Sequence, residues 1–278
     1  MNIRKNRLKI VLGGIAVCMC MACGGSDTKD YWGDTSNGGK EEPTENPNAS
    51  KPRYIWIDAA ANFPDFANSK ENIARDLALA KDAGFTDIVV DVRPTTGDVL
   101  FKTNIVDQVK FMYAWIGSNY TKVERTATWD YLQAFVDEAR KQGLRIHAAI
   151  NTFVGGNQID GGTGLLYRDQ SKAEWATQMN MQTGIVSVMN TSESTKFFNP
   201  AHPEVQTFLC DLLKDLASYD LDGIFLDRGR FLNLQTDFSE ESRKQFEEYM
   251  GGIRIQNYPD DILLPGASSL PATYPKYL

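Results

Sequence analysis

The chain has 278 residues, 42% of them hydrophobic, and a net charge of −7 from 36 acidic and 29 basic side chains. That is composition enough for a globular core, and the acidic balance argues against nucleic acid as a partner, because phosphate backbones are held by an excess of Lys and Arg. The two histidines, His147 and His202, belong to no HExxH or CxxC pattern, and three of the four cysteines, Cys18, Cys20 and Cys23, crowd the amino terminus while Cys210 stands alone, so neither a metal site nor a disulfide framework is expected.

The first residues read as an export signal. Arg4, Lys5, Arg7 and Lys9 precede an apolar run, Ile10 to Met21, too short to span a bilayer. The run reaches Met21-Ala22-Cys23-Gly24, which resembles a bacterial lipoprotein signal: residues 1–22 would be removed and Cys23 lipidated, anchoring an exported protein to the outer membrane. An ordinary cleaved signal peptide is the alternative. Residues 23–52, rich in Gly, Ser, Asp, Glu, Asn and Pro, read as a disordered tether.

From residue 53 onward the pattern is α/β. Four times an apolar run ending in polar residues is followed by a helical stripe, the period of βα units. The runs are Tyr54 to Ala60, Asp87 to Pro94, Arg145 to Asn151, and the stretch from Tyr219 to Phe231, which passes through Ile224, Phe225 and Leu226 to meet Asp227, Arg228 and Arg230. Helices are predicted over 69–83, 129–142, from Pro203 through Leu216, and over 239–250, closed by Gly84, Gly143 and Gly251 where glycine marks a helix end. Long insertions follow the second and third runs.

Residues two apart on a strand share a face. Tyr54, Trp56 and Asp58 therefore share one; so do Val89, Asp91 and Arg93; His147, Ala149 and Asn151; Gly223, Phe225 and Asp227. The opposite faces are uniformly apolar. Helices packed on one apolar face, with the other turning polar towards the carboxyl ends, describe a partial (β/α) TIM-type barrel of about four units rather than a doubly wound sheet. No GxGxxG follows the first run and no GxxxxGK[ST] occurs, so no nucleotide cofactor is expected. The insertions carry Phe101, Phe111, Tyr113, Trp115, Tyr120, Phe153, Tyr167 and Trp175, which either stack on sugar rings or pack the loops themselves.

Four segments, DVRPTTGDVLF (Asp91 to Phe101), HAAINTF (His147 to Phe153), FNPAHPEV (Phe198 to Val205) and LDGIFLDRGRF (Leu221 to Phe231), together resemble the glycosyl-hydrolase-like family ten proteins, exported barrel proteins of carbohydrate metabolism akin to the alpha-amylase clan. The resemblance runs from about Pro52 to the end and covers the amino-terminal half of that domain. It implies a retaining site with Asp227 at the nucleophile position and Arg230, or else Arg228, holding that carboxylate ionised. It also implies that Asp58, Asp91, Arg93, His147, Asn151 and His202 line a carbohydrate subsite. In the related barrels the general acid comes from a fifth strand, and none is evident after Gly251. The expectation is a glycoside hydrolase-like domain, weakly active or inactive, with a non-catalytic surface glycan-binding lipoprotein as the alternative and a partner chain completing the barrel left open.

Overall fold

The structure, a computed structural model, describes residues 51–267 and 269. The expected signal peptide, Cys23 and nearly all of the expected tether lie outside the described residues.

The elements follow the βα rhythm. Strand β1 (Tyr54–Ile57) leads through a short helix α1 (Phe63–Phe66) into α2 (Lys70–Asp82). Ser69 caps α2, its hydroxyl accepting from the Asn72 amide, which satisfies one of the unpaired first-turn donors. Strand β2 (Asp87–Arg93) is followed by a hairpin, β3 (Phe111–Ile116) and β4 (Asn119–Glu124), and then α3 (Tyr131–Gln142). This helix starts two residues later than the stripe predicts because Asp130 turns its carboxylate back onto the Gln133 amide as the cap. Gly143 ends it at φ +65°.

Strand β5 (Arg145–Asn151) opens the longest insertion: β6 (Val154–Asn157), α4 (Leu165–Arg168), the hairpin β7 (Gln178–Met181) with β8 (Gly184–Ser187), and β9 (Thr195–Phe197) back against β6. Helix α5 (Pro203–Leu216), strand β10 (Gly223–Asp227) and α6 (Glu240–Tyr249) complete the described elements. The insertion's glycines are not slack. At Gly164, φ +82°, a Cβ would stand 2.5 Å from the Gly156 Cα, so two backbones pass at a distance only glycine allows.

The four predicted strands form one parallel sheet in the order β1-β2-β5-β10. Space follows sequence without reversal. A doubly wound sheet requires a reversal, whereas unreversed right-handed crossovers keep every helix on one side, the winding of a (β/α) barrel. The core confirms the sidedness: Ile88, Val90, Val92, Ile146, Ala148 and Ile150 from the strands join Ile73, Leu77, Leu132, Val136, Leu209 and Leu212 from the helices in one buried cluster. The other face carries Tyr54, Trp56 and Phe225, each more than a third exposed and in ring contact through His147 and one another.

Candidate functional site

The carboxyl ends of the parallel strands gather three carboxylates. Asp58 follows β1, Asp91 lies near the end of β2 and Asp227 ends β10. Strand geometry places them: register pairs Ile57 with Val90, Asp91 with Ala149, and Asp227 with Asn151. Asp91 is the buried member, 7% exposed. One of its oxygens accepts the Arg93 amide at 3.1 Å. Burial pushes its carboxyl up, the charges of Asp58 and Asp227 add to the rise, and amide bonds from Arg93 and Ala59 only partly oppose it, so its pKa stands at about 7. Asp58 is exposed and accepts the Ala61 amide at 2.7 Å. Asp227, also exposed, accepts the Arg228 amide at 2.7 Å, with Arg228 held at φ +46°. Among the described residues no group of three His, Cys, Asp or Glu side chains is close enough to hold a metal ion.

The flanking residues do not all go where the alternation puts them. The register between β2 and β5 slips between Asp91 and Arg93, so that Arg93 pairs with Ile150 where Asp91 pairs with Ala149. This bulge breaks the alternation one residue before Arg93. The side chain is fully buried and donates to the carbonyls of Asn151, Thr152 and Val154. Asn151, 5% exposed, returns a bond from its amide to the Arg93 carbonyl at 2.9 Å. Arg93 is thus a clamp on the turn after β5 rather than a group offered to a sugar, while Asn151 stands level with Asp227.

His147 is on the expected face and at the wrong end. It sits four residues before Asn151, about 13 Å away along the strand, and its Nε2 meets Asp87 Oδ1 at 2.9 Å. Asp87 opens β2 and Arg145 opens β5; the two form a two-bonded ion pair, each bond 2.6 Å. Burial alone would raise the Asp87 carboxyl, but the bonds from Arg145, Thr86 and His147 pull it down to about 2. This lock belongs to the amino-terminal end of the sheet, away from the three carboxylates.

His202 caps α5, its Nδ1 accepting the Glu204 amide at 3.2 Å, with its ring beside Trp175. It is a helix cap, not a group held at the strand tips. Arg230 donates to the carbonyls of Phe231 and Leu232, and among the described residues neither it nor Arg228 is ion-paired to Asp227.

One residue near the carboxylates has no counterpart in the sequence analysis. Tyr131, the first residue of α3, is 1% exposed and its hydroxyl has no hydrogen-bond partner. Burial first, then the charge of Asp91, raises its pKa. A polar-tipped aromatic in the first turn of a βα helix, facing a strand end, is the signal that could have found it.

The model of the family described as glycosyl hydrolase-like 10 matches residues 51–262. An S-layer-related protein of Niallia circulans is 32% identical over 216 residues, which is 75% of this chain and 13% of that protein. The chain therefore spans a small part of that curated relative. Among solved structures, alpha-L-fucosidase isoenzyme 2 of Paenibacillus thiaminolyticus superposes with a TM-score of 0.49 at 19% identity, over 76% of this chain and 28% of that one. A hypothetical protein of Ruminiclostridium thermocellum superposes with a TM-score of 0.45 at 14% identity, over 70% and 85% of the two chains.

Proposed function

The chain belongs to the glycosyl hydrolase-like 10 family, and from that premise we propose that its strand-tip carboxylates act on a glycan, with Asp227 in the nucleophile position of a retaining displacement. What carries the reading is that Asp58, Asp91 and Asp227 lie at the same end of one sheet, close enough for two of them to raise the third. Asp227 is exposed and accepts a backbone amide. In the displacement its free oxygen attacks the anomeric carbon, a glycosyl ester forms, and the bond to the leaving oxygen breaks. That oxygen needs a proton unless it leaves as a stable anion. Asn151, level with Asp227, is placed to orient a sugar hydroxyl.

The reading extends to rate. Asp91 is the carboxyl held protonated near neutrality, yet β2 and β10 are separated by β5, so their backbones are about 10 Å apart at roughly 4.8 Å per strand. A retaining pair needs its carboxyls about 5 Å apart. The four strands would then be the leading units of a barrel, their exposed Tyr54, Trp56 and Phe225 turned to its interior, and this chain by itself would cleave poorly where the leaving group needs a proton. Export and lipid anchoring through Cys23 complete the proposal.

The test is a comparison of leaving groups. Dinitrophenyl glycosides of common hexoses in both anomeric configurations should release dinitrophenolate in a burst that Asp227→Asn abolishes, while the matching methyl glycosides turn over at least a hundredfold more slowly. Equal turnover of both series would show a working acid and sink the poor-cleavage reading; a burst that survives Asp227→Asn would remove Asp227 from the nucleophile position. The alternative, glycan binding without cleavage, predicts no burst with any glycoside.

A further inference from the structure

The β3–β4 hairpin is built inside out. A hairpin lying on a domain turns apolar side chains inward and polar ones to water. Here Met112, Ala114 and Val123 do face the core, but the outward set is Phe111, Tyr113 and Trp115 on β3 with Glu124, Lys122 and Tyr120 opposite them on β4. Trp115 is 68% exposed and Tyr120 55%. The rings form a shelf with one step in it: Trp115 and Tyr120 have centroids 5.2 Å apart with their planes tilted 45°, and Tyr120 and Tyr113 lie 5.4 Å apart at 29°.

The shelf is also braced. The Tyr113 hydroxyl donates to Asp160 at 2.8 Å, Lys122 pairs with the same carboxylate, and the Lys122 ammonium lies 3.9 Å over the Phe111 ring. Asp160 stands in the insertion after β5, whereas the hairpin follows β2, so the brace joins two connections that leave the carboxyl end of the sheet. Cross-strand aromatic pairing alone accounts for a stable hairpin, but not for a brace from a separate loop or for an exposed Trp at the tip.

We propose that this face is a carbohydrate-binding platform, separate from the strand-tip carboxylates, on which a hexose ring of a neutral glycan chain lies against Trp115 and Tyr120. The chemistry selects that occupant. Pyranose rings present a C–H face that suits an aromatic plane and a rim of hydroxyls that suits Tyr113, Lys122 and Asp160. Lys122 is matched by Asp160, and Glu124, exposed opposite Phe111, leaves that end of the shelf acidic, which disfavours an acidic peptide; the Trp115 and Tyr120 end carries no charge to hold a basic one, and the polar rim does not suit a lipid tail. The inference rests on the glycan-acting reading above and adds to it a second point of contact for the same chain of sugars.

Calorimetric titration of the full chain with cellohexaose, xylohexaose, mannohexaose and maltohexaose tests it. At least one should bind, and Trp115→Ala or Tyr120→Ala should weaken that binding at least about tenfold, the scale of one lost ring contact. Both side chains are exposed, so unchanged thermal melting would separate lost binding from lost fold. Binding by none of the four overturns the platform. So does binding that survives both hairpin substitutions but is lost in Asp227→Asn, which would leave the strand-tip site standing. Self-association seen by light scattering and abolished by Trp115→Ala would reassign the shelf to a second copy of the chain. Hexasaccharide binding lost in Trp115→Ala, together with no dinitrophenolate burst, would keep the platform and defeat the strand-tip chemistry.

Discussion

Replacing Asp91 by Asn should stabilise this protein, and by an amount that depends on pH in a defined way. The carboxyl is 7% exposed and its pKa is raised from the ordinary 3.8 to about 7. Between those values the unfolded chain releases the proton and the folded chain keeps it, so unfolding becomes easier as pH rises. The contribution of the protonated group is fully present below about pH 4, falls progressively as pH rises, and is gone once pH passes about 7. At about 1.4 kcal/mol per pH unit, the loss is about 4 kcal/mol. Asn keeps an oxygen for the Arg93 amide and never ionises. Urea unfolding of wild type and Asp91→Asn from pH 4 to pH 8 should therefore show a difference near zero at pH 4, growing to a few kcal/mol at pH 8 and level above about pH 7. Comparing the two proteins cancels every titrating group that does not interact with Asp91. A difference that stays constant across this range would refute the buried, charge-crowded placement of Asp91, and with it the convergence of the three carboxylates.

The amino-terminal lock has the opposite sign. Asp87 is held down to about 2, so its contribution is present above about pH 4 and lost as pH falls towards 2, about 2 kcal/mol in all; Asp87→Asn should remove that acid-side slope in denaturation measured from pH 5 to pH 2. Arg93→Met should cost about 3–5 kcal/mol in urea unfolding, because the carbonyls of Asn151, Thr152 and Val154 lose a buried charged donor together, and an unchanged midpoint would show that the clamp is dispensable. In Gly223→Ala the new Cβ would stand 2.8 Å from His147 Nδ1, so a loss of about 1–3 kcal/mol is expected, along with a changed His147 ring signal by NMR; a neutral effect would place the imidazole elsewhere. Cys23→Ser should abolish incorporation of labelled palmitate into the chain expressed in a bacterium, and equal labelling of both proteins would end the lipid-anchor proposal.

Much of the fold was legible because the hydrophobic effect writes it in periods. The four sheet strands, the helix starts at Ser69 and Ser239, and the closures at Gly84 and Gly143 all follow from alternation, stripe and terminus chemistry. The winding followed from one apolar face per strand. Less legible were the hairpins in the insertions. Phe111 to Glu124 reads as loop if only inward apolar positions are counted, since both faces of β3 carry large apolar side chains; the clue was Gly117-Ser118 between two β-prone runs, a two-residue turn in which Gly117 takes φ +61°.

At the site, alternation found the right faces and could not find depth. His147 shares a face with Asn151 yet lies at the other end, and the signal for its true role was charge: Asp87 and Arg145 open successive strands with opposite signs. Arg93 was misplaced because a bulge changes the count by one residue, and nothing in the local composition marks it. His202 reads as a rim residue from its position before Pro203, but a side chain that can accept a bond at a helix start is more simply a cap, and that is the bond it makes.

The central claim is that Asp227 is where a sugar becomes attached, and peptide mapping after reaction with activated 2-deoxy-2-fluoro hexosyl fluorides tests it most directly. The claim predicts a glycosyl mass added to the tryptic peptide that ends at Arg228, at Asp227, with none in the Asp227→Asn protein. Attachment at Asp58 or Asp91 instead, or no attachment with any hexose in either anomeric configuration, would contradict it.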